Sequence, residues 1–261
     1  MTGTDFNHSE QHILSIRLSA DGFSFSTCQS GEAGHAQWVA FPVNPSCSMT
    51  ANLKNMCSTT DILQVPSEQT NVLIDTQRYT ILPFDLFEDE NMETIFYHNF
   101  QKIDNEVVLC NILSKSNTVV LFGMDKHTYQ LLNEQFPKAR IYATASPLIE
   151  YFVLENRKLN GHGLYIHLRP QKMDVLAFDK GKLLLANSYS CKQVSDLVYY
   201  MLYIWQQIGF NPENDSLFLT GEYPHKEELI HELSKFIRNV EDRCITANDT
   251  PFDMQTLFIC E

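Results

Sequence analysis

Residues 163–190 read GLYIHLRPQKMDVLAFDKGKLLLANSYS, and this stretch decides the fold. Leu164, Ile166 and Leu168 alternate with Tyr165, His167 and Arg169, the period of a strand with two unlike faces. Pro170-Gln171 turns the chain, Met173 to Phe178 returns, Lys180-Gly181 turns it again, and Leu183 to Tyr189 completes a three-stranded meander. Beyond it, Val194, Leu197, Val198, Met201, Leu202, Trp205 and Ile208 recur at helical spacing over Lys192 to Gln207, with Gly209 as the expected C-terminal cap. Leu217 to Thr220 is a short buried strand ending at Gly221, and Pro224 opens a helix expected to run to about Asn239. Val240 to Glu261 reads as strand and then gives no clear signal.

The same pattern occurs near the N-terminus. Leu14-Ser-Ile-Arg-Leu-Ser19 and Leu164-Tyr-Ile-His-Leu-Arg169 share Leu-x-Ile-basic-Leu-x. Each is followed by a turn, a second strand, a Gly-containing turn, a third strand and a helix. In the first copy the turn is Asp21-Gly22, suited to the positive φ angles of a tight hairpin; the strands are Phe23 to Thr27 and Gln37 to Val43, with Gly31 to Gly34 between them. A helix over Ser46 to Gln64, weakened at Thr59-Thr60-Asp61, follows. Short strands at Val72 to Asp75 and Tyr79 to Leu82 come next, then a helix over Leu86 to Phe100 and a strand–turn–strand over Val107 to Phe122. Asp125 is placed to cap a helix to Gln135, Ala139 to Ala143 is a strand, and Pro147 sits in the first turn of a helix from Ser146 to Lys158.

Two halves of this kind resemble the duplicated ribonuclease-H-like plan of the actin, Hsp70 and sugar-kinase superfamily. The second half is most similar to the actin-like assembly proteins of type IV pilus and type II secretion systems. The chain also resembles an uncharacterised bacterial family of unknown function that shares the second-half meander, the Asp196-Leu-Val-Tyr-Tyr200 helix and the Leu219-Thr-Gly221 strand end. The resemblance implies an α/β fold with mixed sheets, divided into ribonuclease-H-like domains at residues 1–144 and 145–261.

In the active superfamily the first strand of each half ends in an Asp-x-Gly phosphate loop. At the matching positions this chain has Arg17-Leu18-Ser19 and His167-Leu168-Arg169, without either carboxylate or either glycine. The glycine-rich adenosine loop is represented by Thr220-Gly221-Glu222. These departures imply a non-catalytic actin-like scaffold or adaptor, a pseudoenzyme with no cofactor and a degenerate cleft; the competing class is a nucleotide-dependent kinase or phosphatase with a rearranged site. If the two hairpins face each other, Arg17, His167 and Arg169 converge, with Gly221 beside them, and forked Arg donors suit a small carboxylate or phosphate ligand. The alternative is that they form ordinary ion pairs with nearby acids.

Charge and composition exclude other classes. With 32 acidic against 19 basic residues, net charge −13 and no Lys/Arg run, a nucleic-acid partner is not expected. Seven scattered cysteines without a Cys-x-x-Cys pair disfavour a disulfide framework and a zinc ribbon. A polar N-terminus and the lack of an apolar run of roughly 18 to 20 residues give the expectation of a cytoplasmic protein without a membrane span. Glu228 and His231 share a helical face, but one such pair is too few ligands for a metal, so none is assigned. His162 and His167, if both lie in one strand, fall on opposite faces, and Asp75 after Val72-Leu-Ile74 is either a strand-end acid in a site or, more simply, a turn residue. Tyr199, Tyr200, Tyr203 and Trp205 exceed what one core face needs and point to a protein partner or a second copy of the chain, unless helix packing absorbs them.

Overall fold

Two five-stranded sheets repeat one strand order in the computed structural model, which describes residues 12–20, 22–29, 37–64, 67–243 and 251–257. In the first, β1 (His12–Ser19), β2 (Gly22–Gln29) and β3 (Gln37–Phe41) form an antiparallel meander; α1 (Met49–Thr59) leads to β4 (Gln69–Ile74), and α3 (Lys126–Gln135) to β8 (Arg140–Ala143). The order is β3-β2-β1-β4-β8, with β4 parallel to both β1 and β8. In the second, β9 (His162–Arg169), β10 (Lys172–Asp179) and β11 (Lys182–Ser190) are the meander, and α5 (Val194–Gln207), β12 (Ser216–Gly221), α6 (Lys226–Leu233) and β13 (Asn239–Asp242) follow. Its order, β11-β10-β9-β12-β13, is the same plan, again with the last two strands parallel. The duplicated mixed α/β architecture read from the sequence is the architecture of the protein.

Alternation decides which face goes where. Leu14, Ile16 and Leu18 pack with Phe23, Phe25, Val72 and Ile74 against Leu53 and Met56 of α1 and Leu132 of α3. Leu164, Ile166 and Leu168 pack in the same way against Leu197, Met201 and Ile204 of α5 and Leu229 and Leu233 of α6. Each fully buried side chain of this size contributes about 1.5–3 kcal/mol, and slipping either strand by one residue would put Arg17 or His167 into these cores. The opposite, polar faces are therefore left to meet something else.

Between β4 and α3 the chain inserts a small sheet. β5 (Tyr79–Pro83), β6 (Glu106–Leu113) and β7 (Thr118–Asp125) pair antiparallel in the order β5-β7-β6, and α2 (Met92–Asn99) covers them through Phe96. Asn111 of β6 reaches the free edge of β8: its Nδ2 donates to Ile141 O at 2.8 Å, and Ala143 N donates to its Oδ1 at 3.0 Å. Helix α4 (Ala145–Leu159) follows β8 as a spine, its Leu148, Ile149, Phe152 and Val153 packing with Val120 and Phe122 of the small sheet and with Tyr165, Leu176, Phe178 and Phe218 of the second sheet.

Some boundaries differ from the sequence reading. The helix expected to reach Asn239 stops at Leu233, where the Ser234 hydroxyl donates to Ile230 O; the chain then turns so that Ile237 is buried and Val240 pairs with Leu217. The helix expected over Leu86 to Phe100 is confined to Met92–Asn99, preceded by 3₁₀ turns at Phe84–Leu86 and Asp89–Asn91. The Lys180-Gly181 turn takes positive φ at both residues (48° and 80°), the twist a two-residue hairpin needs. The hairpin of β1 and β2 forms, with Ser19 opposite Gly22; Asp21 and the Gly31 to Gly34 turn lie outside the described residues. The C-terminal stretch that gave no signal contains α7 (Phe252–Thr256). No described helix is long and apolar enough to cross a membrane.

Candidate functional site

The polar faces of β1 and β9 carry the residues singled out by the sequence, and α7 lies with them. Arg17 Nε donates to Asp253 Oδ2 at 2.7 Å, joining β1 to α7. Phe252, beside Asp253, places its ring 5.7 Å from the His167 ring.

On β9, His167 and Arg169 both turn to Asp174 of β10, with His167 Nδ1 3.1 Å and Arg169 Nη2 2.8 Å from the same Oδ2. Ser188 of β11 donates to the other oxygen at 2.5 Å. Arg169 also spans to the first sheet, where its Nη1 lies 2.7 Å from Asp75 Oδ1, just past the end of β4. Lys172 Nζ donates to the same Oδ1 at 2.8 Å, and Ser19 Oγ donates to Oδ2 at 2.8 Å. Asp75 thus gathers β1, β4, β9 and β10 around one carboxylate.

Burial makes these pairings consequential. His167, Arg169, Asp174 and Asp253 are buried, and an unpaired charge there would cost several kcal/mol. Burial pushes the Asp174 carboxyl up, but Arg169, His167 and Ser188 outweigh it and hold it well below the usual carboxylate range. Asp253 is likewise pushed up by burial and brought down further by Arg17, His167 and Arg169. At Asp75, Arg169 and Lys172 overcome both burial and the neighbouring Asp174. The Tyr79 hydroxyl, next to Ser188, is pushed far up by burial and the Asp174 charge and stays protonated. The cluster sets Asp75, Asp174 and Asp253 against Arg17, Arg169 and Lys172.

Gly221 ends β12 directly opposite Leu168 in the parallel ladder. Its φ is +77°, and a Cβ there would collide with the Leu168 carbonyl oxygen and press on the His167 ring. Glycine is therefore a requirement of the close approach of β12 to β9. Arg17, His167, Arg169 and Gly221 thus border one region, with the first two flanking Asp253.

The remaining candidates fall elsewhere. His162 is half-buried, stacked on Phe210 at 4.8 Å and 3.1 Å from Asp215. His225, not His231, lies beside Glu228, at 3.8 Å, and among the described residues no group of three or more His, Cys, Asp or Glu is arranged to hold a metal ion. Trp205 is buried in the core, whereas Tyr199 and Tyr203 stack at 6.0 Å on the outside of α5.

Three acids that organise the cluster were not selected from the sequence. Asp174 carried a signal, a lone carboxylate inside an apolar strand on the same face as His167 in an antiparallel partner. Asp75 closes an apolar strand, a position shared by ordinary turn acids. Asp253 carried none, since its partner is 236 residues away.

Comparison with known proteins agrees with this architecture. The sequence profile of a family described as Protein of unknown function (DUF3822) matches residues 2–240. A crystal structure from Bacteroides thetaiotaomicron VPI-5482, described as a protein with actin-like ATPase fold and unknown function, is 46% identical over 99% of this chain and 100% of that chain, with a TM-score of 0.90. The PilM-PilN type IV pilus biogenesis complex matches at 11% identity over 95% of this chain and 97% of that chain, with a TM-score of 0.61, a likeness of fold alone. No curated protein matches the sequence.

Proposed function

We propose, from the premise that the chain belongs to the DUF3822 family and has an actin-like ATPase fold, that it is a non-catalytic scaffold or adaptor whose nucleotide cleft is degenerate. In this reading residues 1–144 and 145–261 are two ribonuclease-H-like units joined by a fixed internal charge network. The observation that carries it is Arg169, which is shared between Asp174 of its own sheet and Asp75 of the other.

A magnesium–phosphate group does not suit these residues. Arg17 and His167 stand where the superfamily places metal-organising carboxylates, and Asp75, Asp174 and Asp253 are each already engaged by a cation. A magnesium ion needs carboxylate oxygens in near-octahedral order with water around it. The arginines have carboxylate partners inside the protein, which favours the ion-pair alternative over a standing site for a small anion. Cytoplasmic placement, and a protein partner or second copy bound through exposed surface such as the Tyr199–Tyr203 pair, belong to the same reading.

Calorimetry and thermal melting with magnesium-ATP test it. The expected result is no heat of binding and no shift in Tm. Saturable binding that disappears in Arg17→Ala or Arg169→Ala would overturn the scaffold reading in favour of a kinase or phosphatase with a rearranged site.

A further inference from the structure

Helix α7 is bound as a ligand would be. Phe252 inserts its ring among Tyr151 at 5.2 Å, Phe152 at 5.7 Å and His167 at 5.7 Å, all from the second half of the chain. The next residue, Asp253, gives its carboxylate to Arg17 of the first half, and the next, Met254, accepts a hydrogen bond on sulfur from Ser24 Oγ of β2 at 3.3 Å. An aromatic anchor, a charge and a thioether thus occupy three successive positions of one short segment, and each is buried.

What surrounds the segment is suited to an acidic guest. Asp253 meets Arg17 directly, and, against burial, Arg17 and Arg169 together hold its carboxyl below the usual range, so the positive charge at this point favours a carboxylate. Ser15 Oγ and Asn71 Nδ2, neighbours across β1 and β4 on the face that bears Arg17, are buried and have no hydrogen-bond partner. A core built only for stability avoids such donors, since each costs about 1–3 kcal/mol.

We propose that the space between the polar faces of β1 and β9 is a binding groove for a short acidic-aromatic peptide segment, and that α7 is its intramolecular occupant, displaced when a partner presents a segment of the same chemistry. The aromatic side chain enters the Tyr151–Phe152–His167 pocket and the carboxylate following it pairs with Arg17. This rests on the adaptor reading and supplies the kind of partner it takes.

The test uses a fluorescent peptide with the sequence of residues 249–257 and the full-length chain carrying Phe252→Ala and Asp253→Ala, whose own segment lacks both anchors. The peptide is expected to bind this variant saturably. Binding is expected to be at least about tenfold weaker to the unmodified chain, and at least about tenfold weaker when Asn replaces the peptide's aspartate, the loss of a charge-assisted pair. No binding by the folded variant, or equal binding by both chains, overturns the proposal. Hydrogen exchange on the unmodified chain decides independently of how the variant folds. Amides of residues 252–257 are expected to be at least about tenfold less protected than those of β1 and β9, with exchange rising further on adding peptide. Equal protection makes α7 a fixed part of the core and removes the groove. Either failure leaves the magnesium-ATP result, and the adaptor reading it tests, untouched.

Discussion

The guanidinium of Arg169, at the end of β9, lies 2.7 Å from the carboxylate of Asp75, just beyond β4 in the other sheet, and 2.8 Å from Asp174 on the adjacent strand. One side chain thus pairs with two acids from separate sheets. Arg169→Met leaves both without their main counter-charge and is expected to lower the unfolding free energy by about 3–5 kcal/mol, measured by urea denaturation. A double-mutant cycle with Asp75→Asn is expected to show coupling above about 1 kcal/mol. Simple additivity would mean that the two groups do not sense each other.

Acid is expected to loosen the same cluster. Asp75, Asp174 and Asp253 are all held below the usual carboxylate range in the folded protein, against burial, by Arg169, Arg17 and their neighbours. A folded-state pKa below the unfolded value of about 3.9 means the stabilisation is fully present above that value. It is lost as pH falls through it toward the depressed values. Tm is therefore expected to be flat in this respect near neutrality and to fall steeply below about pH 4. Asp253→Asn is expected to make that fall shallower, and an unchanged slope would remove Asp253 from the linkage.

Two glycines separate backbone strain from collision. Gly209 and Gly221 both have positive φ, 73° and 77°, but a Cβ at Gly209 meets nothing within 4 Å whereas one at Gly221 meets the Leu168 carbonyl. Gly209→Ala is expected to cost about 1–2 kcal/mol from backbone conformation alone. Gly221→Ala is expected to cost more, by separating β12 from β9, and paired thermal melts measure the difference. Equal losses would show that the ladder yields freely at that point.

The outer face of α5 is expected to behave in the opposite way. Tyr199 and Tyr203 are 63% and 50% exposed, so Tyr199→Ser with Tyr203→Ser should change stability by no more than about 1 kcal/mol. A larger loss in a melt would assign the stacked pair to packing rather than to surface.

The two meanders were legible because the information is local. Leu14, Ile16 and Leu18 and their counterparts at Leu164, Ile166 and Leu168 declare one apolar face within six residues, and the repeat between them declares the duplication. Val107 to Phe122 was legible as two strands but not as a separate sheet, because β7 pairs with Tyr79–Pro83, across a helix in the sequence. The helix end at Leu233 was obscured by apolar residues beyond it, whose burial against β12 depends on the tertiary fold. In the candidate site the basic residues were visible because they interrupt an expected motif. Asp75 and Asp253 were not, because their ion pairs join β4 to β9 and β1 to α7, and no local pattern records a partner that far away.

Asn111 has a consequence for how copies of this chain can come together. Its amide mimics a neighbouring backbone, engaging the outward carbonyl of Ile141 and the outward N–H of Ala143 along β8. A foreign strand arriving at that margin finds its docking groups already spoken for, and main-chain zippering of one molecule onto the next is blocked there. Any recognition of another molecule at this border would run through side chains, where it can be selective, rather than through the backbone, which is the same in every protein.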